Sequence, residues 1–197
     1  MHALVLFAHP ESDSLTASVA RQVSERLDQQ GWTADIADIA AEGFDSRQSS
    51  ADLDVVRGIG APPADVVREQ ERVERADAVV IVHPVYWWAM PGLMKGWFDR
   101  VLTFGWAFGT DDATGLADRD IHLVRVGGSS PETYDRHGYR DAMRTGVEHG
   151  IFEFAGSPLV SSHLLHSAPE GVAGRLDETV DAVVDAVVNA RVKVTVS

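Results

Sequence analysis

Residues 77–100 read DAVVIVHPVYWWAMPGLMKGWFDR, and this stretch decides how the rest of the chain is arranged. Ala78 to Val82 is an apolar, β-branched run without alternating polar residues, the pattern of a strand covered on both faces in a parallel sheet. Pro84 lacks the N–H that a central ladder needs, so the chain is expected to leave the sheet near His83. Val85-Tyr86-Trp87-Trp88 then places large aromatics just past the carboxyl end of a strand, where open α/β sheets bind ligands. Pro91 reads as an early helical position, and Leu93, Met94, Trp97, Phe98 and Val101 follow at helical spacing. Trp97 and Phe98, on the helix, are expected in the core. Tyr86 and Trp87, in a strand-end loop, are expected to form a ligand wall.

The flanking sequence repeats the same alternation. Ala3 to Ala8 reads as a first buried strand, and Leu15 to Gln30 carries Leu15, Val19, Val23 and Leu27 on one helical stripe, with Ser14 as its N-cap and Gly31 as its stop. Thr33 to Ile39 fits a second strand. Ala40 to Ala64 then loses periodicity, gathers Gly, Ser, Asp and Pro, and reads as one long loop. Asp65 to Ala76 is helical, with Val66, Val67, Gln70 and Val73 leading into the strand at Ala78. A fourth strand, Ile121 to Val126, ends at Gly127-Gly128; Tyr139 to Phe154 fits a fourth helix and Pro158 to Leu165 a fifth strand. Glu170 to Arg191 makes a final helix with Leu176, Val180, Val183, Val184 and Val187 on one side. Five strands alternating with five helices imply a parallel sheet with right-handed crossovers. For one domain spanning residues 1–197, the expected architecture is α/β, a flavodoxin-like three-layer sandwich whose five-stranded sheet has the order 2-1-3-4-5.

Composition excludes several functions. Cysteine is absent, so disulfides, thiolate nucleophiles, iron–sulfur clusters and cysteine zinc sites are excluded together, no metal site is read, and redox chemistry would need an organic cofactor. A net charge of −13 argues against nucleic-acid partners and anionic membrane surfaces. No apolar run approaches a transmembrane span, and the start, MHALVLFAHP, lacks a basic n-region, so a cytoplasmic protein without membrane insertion is expected.

In a parallel sheet, the turns after strands one, three and four open on one side. The first, His9-Pro10-Glu11-Ser12-Asp13-Ser14-Leu15-Thr16, sets hydroxyls and an imidazole at the amino end of a helix, where free N–H groups and the dipole favour a phosphate; simple capping by Ser14 is the alternative. The second is the aromatic loop. The third, Gly127-Gly128-Ser129-Ser130, lacks Cβ atoms at its first two positions and lets the backbone approach a flat ring. Phosphate donors, an aromatic wall and a bare backbone edge together fit a nucleotide whose ring is an isoalloxazine. Tyr134 and His137, three apart in what reads as a polar loop, are placed to stabilise negative charge on a reduced flavin or a quinone oxygen.

These residues resemble the NAD(P)H:quinone oxidoreductases of the flavodoxin-like fold, the family of DT-diaphorase and its bacterial relatives. The resemblance rests on His9 with Ser14-Leu15-Thr16, the run from Pro84 to Trp88, KGWFDRV from Lys95 to Val101, and Gly127-Gly128 followed by Tyr134 and His137. It implies that His9, Ser14, Leu15 and Thr16 hold the flavin phosphates and sugar chain, that Pro84, Val85, Tyr86 and Trp87 line the isoalloxazine, and that Gly127 and Gly128 complete its polar edge. Tyr134 and His137 are implied in hydride transfer. It further implies FAD, with FMN as the alternative, NADPH or NADH as donor, a quinone or similar aromatic acceptor, ping-pong two-electron transfer, and a homodimer with aromatics around Trp106 and Phe108 exposed. Arg125-Val126 stands where the family often has two threonines. The competing functions are a one-electron FMN carrier and a regulatory subunit of a potassium-efflux transporter.

Overall fold

Residues alternate between two cores along every central strand. In β1 (His2–Phe7), Leu4 and Leu6 enter one core with Val79, Ile81, Ile121 and Leu123, while Ala3, Val5 and Phe7 enter the other with Val80, Val82, Val124 and Val126. A strand whose side chains are apolar on both faces needs a layer on each. The computed structural model describes residues 1–157, 159–167 and 172–195, the last five by backbone only, and shows those layers. β1, β2 (Thr33–Asp38), β3 (Ala78–Pro84), β4 (Asp120–Gly127) and β5 (Ser161–His166) form a parallel sheet ordered β2-β1-β3-β4-β5. The expected class, layer number and strand order are all observed.

One face is covered by α1 (Leu15–Gln29) and the final helix, which runs over Val172–Thr195 and buries Val180, Val183, Val184 and Val187. Ser14 caps α1 by accepting the Ala17 N–H at 3.2 Å, and Gly31 follows with φ of 82°. The other face is covered by elements between β2 and β5. The first of these, α2 (Ser50–Val56), lies inside the segment expected to be one loop. Its short amphipathic pattern is weak, but Ser49 and Asp52 form a reciprocal capping box, and buried Asp52 is gripped by Arg100 at 3.0 Å. Tertiary anchoring supplied what periodicity lacked. α3 (Ala64–Glu74) follows, then α4 (Gly92–Val101), with Pro91 as N-cap rather than an early helical residue. Trp97 and Phe98 are buried as expected.

Two further points concern the sheet's carboxyl edge. The chain leaves the sheet near His83, as expected, though Pro84 is still the last strand residue: it pairs with Val126, and the Val85 N–H donates to the Val126 carbonyl at 2.8 Å. Proline is tolerated because it is the last strand residue and its neighbour makes the ladder bond instead. The segment after β4 is helical rather than loop: α5 (Pro131–Arg136) carries Tyr134, and α6 (Tyr139–Met143) passes into a π-helical run over Arg144–Glu153 where one α-helix was expected. The helical elements therefore outnumber the expected five. The expected starts of the last strand at Pro158 and of the last helix at Glu170 fall outside the described residues. Among the described residues, no helix is long and apolar enough to cross a membrane.

Candidate active site

The turns after β1, β3 and β4 meet at one edge of the sheet. His9 Nδ1 lies 3.0 Å from the Glu11 nitrogen and 3.2 Å from the Glu11 carbonyl oxygen, and its Nε2 lies 3.4 Å from the Tyr86 hydroxyl. The first loop is thereby tied to the aromatic loop. Ser14 is half-buried and engaged in capping, Leu15 is half-buried, and Thr16 is buried under the first turn. The capping role of Ser14 is thus realised, and the dipole of α1 favours negative charge at this terminus.

Tyr86 and Ala89 exchange both backbone hydrogen bonds, each at 3.0 Å, and enclose Trp87 and Trp88 in a two-residue turn with φ of 50° and 62°. Both values are left-handed, as in a type I′ turn, which normally takes Asn and Gly. Two tryptophans there hold backbone strain of roughly 1–3 kcal/mol each, and such strain concentrates at ligand sites. Trp87 is 94% exposed, so core packing does not explain it. The turn leaves the Trp87 and Trp88 N–H groups outside the Tyr86–Ala89 pairing.

Trp88 is half-buried in an aromatic cluster. Its ring stacks on Tyr139 at 3.6 Å and 10°, Tyr139 in turn stacks on His137 at 5.3 Å, and Tyr134 meets Trp88 edge-on at 5.2 Å. Tyr134 is 1% exposed. It is buried because α5 folds it against Gly127, where any Cβ would overlap the phenol oxygen. Burial pushes the Tyr134 pKa up, against the nearby charges of Arg125 and Arg140, so the phenol stays protonated at neutral pH. Tyr134 and His137 are brought into one cluster, joined through Tyr139.

Three contributors escaped sequence reading. Tyr139 looked like an ordinary helix residue. His166 ends β5 at the same sheet edge, a position that topology alone could have flagged. Its Nδ1–H donates to the Ser129 carbonyl at 2.8 Å, leaving Nε2 to accept from Arg140 at 3.1 Å, which fixes the Gly128-Ser129 turn. Arg140 also lies 5.9 Å above the Tyr134 ring. Below the site, buried His83 donates Nδ1–H to the Pro84 carbonyl, and burial lowers its pKa to about 4, aided by Arg125. It is neutral and structural.

Val85, Trp87, Trp88, Gly128, Ser129 and Tyr134 line a cleft of about 140 Å³. A Cβ on Gly128 would meet no atom within 4 Å, so the cleft stays open above this residue. A flat polar heterocycle fits this donor set: open backbone at Gly128, strained N–H groups at Trp87 and Trp88, and a helix terminus nearby for phosphate. A larger cavity of about 600 Å³ lies between the Glu42–Asp45 segment and α3, but its walls are charged groups such as Arg72 and Glu42, already paired at 2.8 Å. Aromatics around Trp106 and Phe108 were expected to be exposed; those two are half-buried, with the Trp106 indole N–H held by Glu74, and Phe104 and Phe154 are the exposed ones.

Comparison with known proteins follows the same lines. A family model described as "Flavodoxin-like fold" matches residues 1–187. Ribosyldihydronicotinamide dehydrogenase (quinone) of Rattus norvegicus is 30% identical over 183 residues, covering 82% of this chain and 79% of its own. NAD(P)H dehydrogenase (quinone) 1 of Rattus norvegicus is 27% identical over 187 residues, covering 84% and 68%. The solved NAD(P)H:quinone oxidoreductase from Methanothermobacter marburgensis superposes with a TM-score of 0.83 at 29% identity, covering 94% of this chain and 95% of its own. With its strand order, its cleft beyond the strand ends and a match along nearly its whole length, the chain belongs to the flavodoxin-like fold family.

Proposed function

We propose that this chain is a flavin-dependent NAD(P)H oxidoreductase that reduces quinones or similar flat aromatic acceptors. The observation that carries the reading is the convergence of three loops on one cleft: His9 reaching Tyr86, the strained Trp87-Trp88 turn, and the open backbone at Gly128 beside Tyr134. Its relatives named as quinone dehydrogenases support it.

His9, Ser14, Leu15 and Thr16 would hold the phosphate and sugar chain, with the α1 terminus supplying N–H groups and dipole. Pro84, Val85, Tyr86 and Trp87 would line the ring, and Gly127 and Gly128 would bound its polar edge. A flavin bound there supplies two-electron hydride chemistry; the protein's part is orientation and charge stabilisation. Tyr134, kept protonated by burial, donates a hydrogen bond where negative charge develops, and His137 at the cluster's solvent end supplies a proton to the acceptor oxygen. One apolar slot serves donor and acceptor in turn, giving ping-pong kinetics. FAD is the favoured cofactor and FMN the alternative.

A homodimer completes the proposal. Val56, Phe98, Leu102, Phe108, Ile151 and Phe154 line a mainly apolar groove of about 390 Å³, with Phe154 71% exposed at its rim, and a second copy covering it would remove this surface from water. Reconstitution with FAD and with FMN, followed by turnover with NAD(P)H and a simple quinone and by sedimentation analysis, tests the reading. A yellow, dimeric, quinone-reducing protein is expected. A flavin that binds but forms a stable one-electron state and turns over no quinone would replace it with the carrier function.

A further inference from the structure

Arg125 stands in the carboxyl half of β4, between the apolar Val124 and Val126, and is nine-tenths buried. A guanidinium has five N–H donors, and the described hydrogen bonds use Nη2 alone, to Glu148 at 2.8 Å and to Ser162 at 2.6 Å. Nε is buried without a partner among the described residues. Leaving donors of a buried cation unmet is costly unless an acceptor arrives.

The space beside it has the chemistry of such an acceptor's site. Arg125, Arg140 and Arg144 line a cavity of about 230 Å³ with Met143, Leu164 and Ser162. The carboxylates on its wall are Asp141 and Glu148, and Glu148 is already committed to Arg125 and Ser162. Arg140 is held by Asp135 at 2.6 Å and Arg125 by Glu148, so the cationic donors left to the cavity are the unused N–H groups of Arg125 and the exposed Arg144 guanidinium. The π-helical run helps to build it: its i→i+5 turn is wider than an α-turn, and it carries Arg144 and Glu148 over the end of β4. Tyr134 and Leu164, which both pack against Gly127, stand between this cavity and the aromatic cleft: Tyr134 lines the cleft and Leu164 lines the cavity. A ligand in the cleft therefore has a cationic pocket as its neighbour.

We propose that this cavity is the phosphate subsite for the nicotinamide donor. The inference rests on the reductase reading, in which the flavin phosphate is placed at the α1 terminus and, of the two substrates, the donor brings phosphate while the acceptors are flat rings. Guanidinium forks match phosphate oxygens in pairs, and the cavity of about 230 Å³ is large enough for a phosphate group.

The test uses the flavin-loaded protein and the Arg144→Gln variant, which removes an exposed charge and is expected to leave folding unchanged. Binding of adenosine 2′,5′-bisphosphate, measured by calorimetry, is expected to weaken about tenfold in R144Q, the loss of one charge-assisted hydrogen bond, while adenosine binding does not change. In Glu148→Gln, which removes a competing carboxylate, the bisphosphate binds more tightly. A KM raised for NADPH but not for NADH assigns the 2′-phosphate to the cavity, and a KM raised for both assigns the pyrophosphate; either supports the subsite. Unchanged bisphosphate binding in both variants overturns it. If wild-type flavin is reduced by neither nucleotide, the reductase reading fails, and that result is distinct because the bisphosphate is bound without turnover.

Discussion

The phenol of Tyr134 occupies the space that a side chain at residue 127 would need, so Gly127 and Tyr134 are two halves of one packing decision. The resemblance assigned Gly127 to the flavin edge, but its missing Cβ first of all admits the phenol. Gly127→Ala is expected to expel Tyr134 from its buried position, with a stability loss of about 1–3 kcal/mol from overpacking and a marked fall in flavin affinity. Urea unfolding and flavin titration check this. Wild-type values for both would mean that the phenol is not held where the structure places it.

The Trp87-Trp88 turn gives a change of opposite sign. Trp87 contributes little burial and sits at φ of 50°, so Trp87→Gly is expected to stabilise the protein by about 1 kcal/mol through relief of left-handed strain. The same change removes stacking surface, and the KM for quinone rises. A variant both less stable and fully active would show that the turn is held for folding rather than for ligand.

Arg100 ties the second face together. It is 5% exposed, donates to Asp52 at 3.0 Å and to Asp65 at 2.6 Å, and holds the Asp45 carbonyl at 2.7 Å. The Arg100 hydrogen bond holds the Asp65 carboxyl below its ordinary range; at Asp52 burial acts upward, and the bonds from Ser49 and Arg100 outweigh it. Arg100→Leu leaves buried Asp52 without its cation, with an expected cost of about 3–5 kcal/mol. Denaturant unfolding that shows a loss below 1 kcal/mol would contradict this anchoring role.

Two buried histidines set the acid limit. His83 and His122 both have pKa values lowered from 6.5 to about 4, chiefly by burial. Their folded-state values lie below their unfolded ones, so the unfolded chain binds more protons between pH 6.5 and pH 4. Stability is full above pH 6.5 and is lost as pH falls through that window. At pH 5 the loss is roughly 2 kcal/mol per histidine by linkage. Urea midpoints measured from pH 7 to pH 5 should fall, and His122→Gln should fall less steeply. A flat wild-type profile would mean that these rings are not buried neutral.

Sheet order and core were legible because β-branched runs such as Ala78 to Val82 report burial on both faces without any distant information. The meeting of three loops was legible for the same reason: a parallel sheet sends the turns at Ala8, Pro84 and Gly127 to one edge. What stayed hidden depended on partners far along the chain. α2 becomes visible only when Arg100 is known to grip Asp52 across 48 residues. Tyr134 read as a loop phenol because its burial is decided by Gly127 and His166, not by its own neighbours. Arg125 looked like a lost threonine, whereas its meaning lies in Glu148 and Ser162.

The most direct test of the reductase account is an anaerobic titration of the flavin-loaded protein with NADPH and with NADH, followed through flavin absorbance and closed by addition of a quinone. The account predicts bleaching to the two-electron reduced form by a nicotinamide nucleotide, without a one-electron stage, and full recovery of colour on quinone addition. Flavin that stays oxidised with both nucleotides, or a protein that retains neither FAD nor FMN, would contradict it.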